Sequence, residues 1–345
     1  MTTITLNTGI TQTTIRVGEK LSLLRNELPA GRIIFIADEN VYRLHKDLFR
    51  KDPVLTVPSG EASKTLGTVE RLCRELLSLE ADRKTFIVGV GGGLTCDVAG
   101  FAASVYMRGL SFGFISSTLL GQVDASVGGK NGVNLDGYKN MIGSFSQPSF
   151  VWCDLSLLDT LPGQEYISGL AEVIKYGLIS SPELYALLEQ HSKSIMQRDK
   201  QILEDIVSQC VRIKAAIVEE DELETGNRKL LNYGHTIGHA VERLSGMLHG
   251  QAISIGMVLA ARLSERKGML PSAEVDRLVS LLSLYQLPVS CDIDPGLIFE
   301  SMKKDKKRDG RQISFVLLEA PGKPVITPVE LDNFKNELDD LFKHQ

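Results

Sequence analysis

Apolar runs alternate with helical segments in the first half of the chain. The runs GRIIFIAD, VLTVPSG and TFIVGV are short and rich in β-branched residues, as buried strands are. Between the second and third runs, the segment 63–81 repeats apolar side chains every three or four residues, which predicts an amphipathic helix capped by Ser63. With further strands at FGFISST and SFVWCD, this alternation predicts parallel strands joined by crossover helices.

The pattern changes near residue 160. From there to about Leu287 almost every segment has helical spacing, and only the tail RQISFVLLEAPG predicts a short strand and a turn. We therefore predict an α/β domain over 1–160 with a mainly parallel, Rossmann-like sheet. The domain over 161–345 is predicted to be all-α.

Composition narrows the class of protein and its partners. A chain of 345 residues is long enough for two domains, and its net charge of −5 argues against a nucleic-acid or anionic membrane surface. No apolar stretch approaches the roughly 20 residues of a spanning helix, and the N-terminus lacks the pattern of a signal peptide. The five cysteines are scattered without a CxxC pair, which is typical of a reduced cytoplasm. We predict a cytoplasmic protein whose partners are small molecules.

Three consecutive glycines, Gly91 to Gly93, lie between the third predicted strand and a predicted helix. Glycine lets the backbone approach a pyrophosphate closely, and a helix N-terminus offers free N–H groups. This arrangement is that of a dinucleotide site at the carboxyl end of a parallel sheet. The spacing is not G-x-G-x-x-G, because Leu94 and Cys96 follow, so a tight turn without a ligand remains the alternative.

Polar residues also follow the first two predicted strands. Asp38 follows the first, where a carboxylate can accept a hydrogen bond from a ribose hydroxyl, and Glu61 and Lys64 follow the second. Each can equally be a surface charge or a helix cap. Because the ends of parallel strands share one sheet edge, their combination with the glycine turn favours a nucleotide site.

The segment SSTLLGQVDASVGGKNGVNLDGYKNMIGSF is rich in polar residues and glycine but carries apolar residues throughout, unlike a disordered linker. Lys130 follows two glycines, as in a phosphate loop, but the Walker pattern is absent. We predict an ordered, ligand-lining loop in which Lys130, Lys139 and Asn140 contact phosphate or hydroxyl groups. An exposed glycine-rich loop is the alternative.

Half of the six histidines fall within fifteen residues. His235 and His239 are four apart, so they share one face of a helix, and the turn after that helix can bring His249 back toward them. A catalytic zinc site needs three protein ligands, and Glu172 on an apolar helical segment can supply an oxygen. The alternative for Glu172 is an ion pair with Lys175, three residues further on.

Basic residues surround these candidates although the chain is acidic overall. Such runs are usually solvated, but a few cations turned inward suit a substrate that carries phosphate and carboxylate groups. The candidates are Arg108, Lys214, Arg228 and the run SMKKDKKRDGRQ.

Six segments resemble, in order, the pattern of the 3-dehydroquinate synthase family, the sugar-phosphate cyclases of the shikimate pathway. They are GGGLTCDVAGFAASVYMRG, STLLGQVDASVGGKNGVN, YKNMIGSF, SGLAEVIKYG, RKLLNYGHTIGHAVE and KKDKKRDG. The resemblance covers nearly the whole chain. It implies an α/β domain that binds NAD, a helical domain that binds a divalent metal, Zn²⁺ or Co²⁺, and a homodimer.

The resemblance also implies a role for individual residues. The implied metal ligands are Glu172, His235 and His249. The implied NAD contacts are Asp38, Asn40, Glu61, Lys64, Gly92, Gly93, Asp97, Ser117, Thr118, Lys139, Asn140 and Thr160. The implied substrate contacts are Arg108, Asp124, Lys130, Lys175, Lys214, Arg228, Asn232, His239 and either Lys306 or Lys307, of which His239, Lys130, Lys175 and Asn232 are the implied catalytic residues.

The reaction that the resemblance implies converts 3-deoxy-D-arabino-heptulosonate 7-phosphate to 3-dehydroquinate and phosphate, with NAD reduced and reoxidised in each turnover. The sequence departs from the family pattern at Gln251, Leu135 and Asn131, and by a Thr-to-Ser change at Ser117. Two alternatives remain: another sugar-phosphate cyclase, and a metal-dependent polyol or glycerol-phosphate dehydrogenase.

Overall fold

The chain forms two compact units. The computed structural model describes residues 1–9, 11–50, 52–136, 138–303, 308–309 and 312–343. One unit comprises Met1–Pro162 with Lys200–Leu223, and the other comprises Gly163–Asp199 with Glu224–Gln345. The segment Lys200–Leu223 thus belongs to the first unit although it follows the predicted boundary at residue 160. The boundary itself stays a prediction.

The first unit is built on a seven-stranded sheet. Its strands are β1 (Thr2–Thr8), β2 (Thr11–Val17), β3 (Ile33–Asp38), β4 (Val54–Val57), β5 (Phe86–Gly91), β6 (Phe112–Ser116) and β9 (Phe150–Cys153). The strand order is β1-β2-β9-β6-β5-β3-β4, and only the β1–β2 pair is antiparallel. The predicted parallel, Rossmann-like sheet is confirmed, and the N-terminal hairpin adds to it.

Helices connect the parallel strands as the alternating pattern predicts. They are α1 (Glu39–Leu44), α2 (Leu66–Ser78) and α3 (Gly93–Val105). The N-cap of α2 is Thr65, whose hydroxyl accepts from the N–H of Thr68 at 3.2 Å, so the cap predicted at Ser63 was wrong. Ser63 instead donates to the carbonyl of Pro58 in the preceding turn.

The polar middle segment is not a loop. It forms one π-helical turn, Gly121–Ala125, and then a two-stranded antiparallel sheet of β7 (Lys130–Leu135) and β8 (Tyr138–Phe145). The loop prediction was wrong because the segment's apolar residues, such as Val133, are buried. Helix α7 (Lys200–Glu220) packs against β1 and the π-helical turn and completes this unit.

The second unit is mainly helical, as predicted. Its helices are α4 (Gly163–Ile179), α5 (Pro182–Gln190), α6 (Ser192–Met196), α8 (His235–Ser245), α9 (His249–Arg266), α10 (Ser272–Leu284), α11 (Pro295–Lys303) and α12 (Leu331–Lys343). Helices α8 and α9 pack directly on each other, and α4 packs on α9. No helix in the described ranges is long and apolar enough to cross a membrane.

The second unit is nevertheless not all-α, which corrects that prediction, whereas the short strand and turn predicted in the tail are confirmed. It contains a three-stranded antiparallel sheet of β10 (Arg308–Asp309), β11 (Gln312–Ala320) and β12 (Lys323–Glu330). Phe315 and Leu317 in β11 join a core with Leu259 of α9 and Phe334 of α12. The sheet forms because these apolar side chains need a partner surface, and the helices supply it.

Candidate functional site

Three predicted metal ligands meet in the second unit. Oε1 of Glu172 lies 3.5 Å from Nε2 of His235 and 3.4 Å from Nε2 of His249. The ligand atoms of all three side chains lie within 4.8 Å of one another. Glu172 is completely buried, its Oε2 atom contacts the Lys175 ammonium, and its Oε1 atom faces the two imidazoles. A buried carboxylate oxygen that faces two imidazole nitrogens is a donor set that suits zinc, so the residues fit a divalent metal.

Each imidazole is oriented by a contact on its other nitrogen. Nδ1 of His235 lies 3.0 Å from the carbonyl oxygen of Tyr233, and Nδ1 of His249 lies 3.3 Å from Oε2 of Glu242. An acceptor at Nδ1 favours a proton on that nitrogen, which leaves Nε2, facing Glu172, as the nitrogen that can bind a metal. Both rings therefore have the direction that metal binding through Nε2 requires.

The fold fixes the distance between Glu172 and His249 through the residues next to them. Ser168, one turn before Glu172 on α4, accepts from the N–H of Gly250 at 2.9 Å. A Cβ atom at Gly250 would lie 1.9 Å from the carbonyl oxygen of Ser168. Only glycine therefore lets the first turn of α9 approach α4 this closely.

We predict that Gly250→Ala destabilises the protein and weakens metal binding. The added methyl group must push α9 away from α4, and overpacking of this kind costs about 1 to 3 kcal/mol in the free energy of unfolding. Urea denaturation and metal titration measure the two effects. Gly163→Ala is the control, because a Cβ atom at this exposed start of α4 meets nothing within 4 Å. A Gly250→Ala protein as stable as the control would contradict the steric argument.

Lys175 and Glu172 form the ion pair that was the alternative reading of Glu172. Lys175 is 1% exposed and its ammonium contacts Oε2 of Glu172, while Oε1 faces the histidines. The two interpretations are therefore compatible, because each uses a different oxygen. Without a metal, the lysine also compensates a charge that burial would otherwise make costly.

The charge of His249 depends on the carboxylates around it. Burial alone would lower its pKa, but hydrogen bonds and attraction from Glu172 and Glu242 outweigh burial and raise the pKa to about 9. Without a metal, His249 is therefore a cation at neutral pH. A metal must displace this proton to bind.

We expect the stability of the metal-free protein to fall as the pH rises from about 6.5 to about 9. The folded pKa of His249 lies above its ordinary value of 6.5, so the stabilisation is complete below pH 6.5 and is lost through about pH 9. Urea unfolding of chelator-treated protein across this range measures it. His249→Gln lacks the titrating group, and the difference between the two proteins isolates its contribution. A difference that stays constant or grows with pH would contradict the assignment.

Three other predicted substrate residues lie close to His235 along the chain: Arg228, Asn232 and His239. The His239 ring lies 5.2 Å from that of His235, between their centroids. Arg228 is 2% exposed, and Asn232 donates from Nδ2 to Oε1 of Glu224 at 2.7 Å. The second unit thus holds an imidazole on α8, and a buried guanidinium and an oriented amide on the segment that leads to α8.

In the first unit, the glycine turn lies where the sequence predicts it, between β5 and α3. A Cβ atom at Gly93 would lie 2.7 Å from Cβ of Ala125, so the turn packs closely on the π-helical segment. Within the described residues, no side chain caps the first turn of α3. Its N–H groups and positive dipole end can therefore meet an anion.

Three predicted NAD contacts form one cluster near this turn. Nζ of Lys64 lies 2.5 Å from Oδ2 of Asp97 and 2.6 Å from Oδ1 of Asn140. Lys64 is 6% exposed. Burial raises the pKa of Asp97, and the nearby lysine opposes that rise. The Lys139 ammonium lies 3.8 Å from Oε1 of Glu61. Lys139 directly precedes Asn140 in the chain, and Glu61 lies three residues before Lys64.

Several predicted NAD residues have structural partners of their own. Asp38 caps α1 by accepting from the N–H groups of Asn40 and Val41, and it also accepts from the hydroxyl of Ser59. Thr160 contacts His45 at 3.0 Å. Thr118 accepts from the N–H of Gly121, and the N–H of Ser117 donates to Gly91. The cap that sequence allowed for Asp38 is present.

The remaining predicted substrate residues of the first unit fall into two groups. Lys214 on α7 is 6% exposed, and its ammonium donates to the side chain and the carbonyl of Asp124. Arg108 and Lys130 are exposed, and Arg108 has a positive φ of 70°. Lys306 and Lys307 lie outside the described residues.

Sequence reasoning did not single out Glu242, Ser168 or Glu224. Glu242 lies seven residues after His235 on one helix, and a charge on a mostly buried helix face was a usable signal. Ser168 contacts Gly250, 82 residues further along the chain, which sequence spacing does not reveal, whereas Glu224 contacts Asn232 only eight residues further on. Gln251 accepts from the N–H of Leu248 at 3.2 Å, so this departure from the family pattern caps α9.

Comparison with known proteins decides the family. Models of the N-terminal and C-terminal parts of 3-dehydroquinate synthase match residues 54–168 and 169–308. A 3-dehydroquinate synthase of Dehalococcoides mccartyi (strain CBDB1) is 40% identical over 321 residues, which span 90% of this chain and 89% of the relative. The chain belongs to the 3-dehydroquinate synthase family. The predicted family is confirmed, and with it an enzyme of the lyase class, a phosphate-eliminating cyclase.

Among the solved structures similar to this 3-dehydroquinate synthase family member are cyclases. A 2-deoxy-scyllo-inosose synthase complexed with carbaglucose-6-phosphate, NAD⁺ and Co²⁺ has a TM-score of 0.89 and 30% identity, with 98% of this chain and 100% of that chain covered. A 2-epi-5-epi-valiolone synthase from Streptomyces hygroscopicus subsp. jinggangensis 5008, with NAD⁺ and Zn²⁺ bound, has a TM-score of 0.88 and 26% identity, with 96% and 97% covered.

Proposed function

We propose that this protein is a 3-dehydroquinate synthase. It converts 3-deoxy-D-arabino-heptulosonate 7-phosphate to 3-dehydroquinate and phosphate, with catalytic NAD and a divalent metal, Zn²⁺ or Co²⁺. The observation that carries the proposal is the convergence of Glu172, His235 and His249 in a chain 40% identical to a curated 3-dehydroquinate synthase. NAD⁺ and Co²⁺ or Zn²⁺ in the similar cyclase structures support the cofactors.

The second unit supplies the groups that hold the metal and move a proton. Glu172, His235 and His249 are the proposed ligands. A divalent metal bound there supplies Lewis acidity to the substrate alcohol that is oxidised. His239 lies within one helical turn of His235, and its imidazole suits proton relay near neutral pH.

Cationic side chains are proposed to bind the two anionic ends of the substrate. Arg228 is buried and keeps its charge, and a guanidinium can bind a carboxylate with two parallel hydrogen bonds. Asn232 is held by Glu224 and can present its remaining polar atoms to hydroxyl groups. Arg108, Lys130, Lys175 and either Lys306 or Lys307 are the proposed partners of phosphate and ring oxygens, with Lys214 beside Asp124.

The first unit is proposed to bind NAD at the glycine turn. The uncapped start of α3 suits the pyrophosphate, and the Lys64–Asp97–Asn140 cluster offers a cation and two acceptors. Asp38, Asn40, Glu61, Lys139, Thr118, Ser117 and Thr160 complete the proposed contacts. Of these, Asp38 has both oxygens engaged, so a ribose hydroxyl would have to share or replace the Ser59 contact.

The competing functions differ in substrate and in net redox change. A cyclase acting on a sugar phosphate without a carboxylate has no use for the Arg228 guanidinium, and the similar inosose and valiolone synthases are less identical than the curated synthase. A polyol or glycerol-phosphate dehydrogenase releases NADH.

We also propose that the protein is a homodimer and that the ligand of its site is a small sugar phosphate.

One assay separates these functions. The purified protein receives the heptulosonate phosphate, substoichiometric NAD and Zn²⁺ or Co²⁺, and phosphate, dehydroquinate and NADH are followed together. We expect equal amounts of phosphate and dehydroquinate, many turnovers per NAD and no accumulation of NADH. A parallel reaction receives a hexose phosphate, and phosphate release only in that reaction would indicate another cyclase. Conversion of all the supplied NAD to NADH would indicate a dehydrogenase.

A further inference from the structure

Glu242 is a buried carboxylate that the proposed reaction does not use. It lies on α8, two turns after His235, and is 9% exposed. Its Oε2 atom lies 3.3 Å from Nδ1 of His249, and Nε2 of the same ring lies 3.4 Å from Oε1 of Glu172. The imidazole of His249 is therefore held between two carboxylates, one at each ring nitrogen.

This arrangement separates a ligand from a residue that orients it. Nδ1 can donate its proton to Glu242, which leaves the electron pair of Nε2 facing Glu172 and His235. A carboxylate behind a metal-bound histidine fixes the ring direction and increases its basicity. Helix α8 carries both His235, a proposed ligand, and Glu242, which contacts the proposed ligand His249. One rigid helix therefore positions both residues.

Glu242 could instead be a ligand itself. Within the described residues, His239, Glu242 and His249 form a second set whose ligand atoms lie within 4.8 Å of one another. Nδ1 is the nitrogen of His249 that lies 3.3 Å from Glu242, whereas Nε2 lies 3.4 Å from Glu172, so a metal at Glu242 would use the ring nitrogen that points away from Glu172. The first set also contains the completely buried Glu172, whose Oε1 atom faces both His235 and His249, and this favours it as the metal site.

We propose that Glu242 is a positioning residue that acts on the metal through His249. It locks the ring in the tautomer and direction in which Nε2 binds. The inference rests on the proposed metal site and goes beyond it, because it assigns a role to a carboxylate that does not touch the metal.

The test compares metal binding in four proteins by titrating metal-depleted samples with Co²⁺. They are the wild type, Glu242→Gln, Glu172→Gln and Gln251→Ala. Stoichiometry, Kd from chelator competition and the visible absorption bands of bound Co²⁺ are the readouts. We expect Glu242→Gln to bind one Co²⁺ per chain with altered bands and a Kd about 10- to 100-fold weaker.

Gln251→Ala is the matched control for a merely structural effect. Gln251 lies two residues after His249 and caps α9 through the N–H of Leu248, without a contact to the imidazole in the described structure. Its loss is expected to lower the melting temperature while leaving the Kd and the absorption bands of Co²⁺ unchanged.

The outcomes distinguish this inference from the proposed function. A wild type that binds no Co²⁺ removes the metal site itself. Wild-type Kd and spectrum in Glu242→Gln overturn the positioning role and leave the metal site standing. Loss of binding in Glu242→Gln as complete as in Glu172→Gln makes Glu242 a ligand, and this result also overturns the inference.

Discussion

Replacement of His235 by alanine is expected to remove both metal retention and turnover. Only Glu172 and His249 would remain of the proposed ligands, and a catalytic metal site needs three. We expect metal affinity to fall by more than about 100-fold, beyond what the loss of an outer hydrogen-bond partner costs. Metal content per chain after gel filtration and the phosphate-release assay measure the two losses.

The fold should survive this substitution. Lys175 stays in contact with the buried carboxylate of Glu172, so no uncompensated charge is left behind. His191→Ala is the control, because His191 is an exposed histidine at the end of α5 in the same unit. A His235→Ala protein that keeps one metal per chain and full turnover would refute the ligand assignment, and a loss of metal in the control would point to a folding effect.

The sheet of the first unit was predictable because its strands are nearly continuous apolar runs. Ile33–Asp38 and Phe86–Gly91 are buried along almost their whole length, which is the pattern of central parallel strands. The N-terminal hairpin was missed although Ile4 and Leu6 alternate with exposed residues, because threonines dilute the apolar signal on both strands.

Helix α7 shows a limit of a different kind. Its periodicity predicts an amphipathic helix, but periodicity does not say which core receives the apolar face. The helix follows three helices of the second unit in sequence, yet it packs against β1 in the first. Periodicity therefore predicted that this helix exists, and neither periodicity nor chain order showed which unit it joins.

Within the candidate site, ligand identity was predictable and ligand orientation was not. Helical spacing places His235 and His239 on one face, but the nitrogen that each ring presents depends on Tyr233 and Glu242. The approach of His249 to Glu172 depends on the Gly250–Ser168 contact between two helices 82 residues apart along the chain. Such contacts exist only after folding, so a sequence pattern carries no direct trace of them.

Substitutions at Lys64 and Asp97 are expected to separate structural from functional roles in the first unit. Lys64→Met leaves the carboxylate of Asp97, 17% exposed, without its cation and leaves Asn140 without a donor. Breaking such a pair from one side should cost about 2 to 3 kcal/mol in the free energy of unfolding, somewhat below the value for a fully buried pair. Lys64→Met combined with Asp97→Asn removes both charges and should recover most of that loss.

NAD affinity then tests whether Lys64 is a cofactor contact. A charge-assisted hydrogen bond contributes about 1.5 to 3 kcal/mol, so its loss should weaken NAD binding by about 10- to 100-fold. We expect the double variant to regain stability in urea denaturation but not NAD affinity in calorimetric titration. Recovery of both would mean that the lysine only neutralises Asp97, and the proposed nucleotide contact would be wrong. Because Asp97 is itself a proposed NAD contact, Asp97→Asn alone is the control that separates its contribution to NAD affinity from that of Lys64.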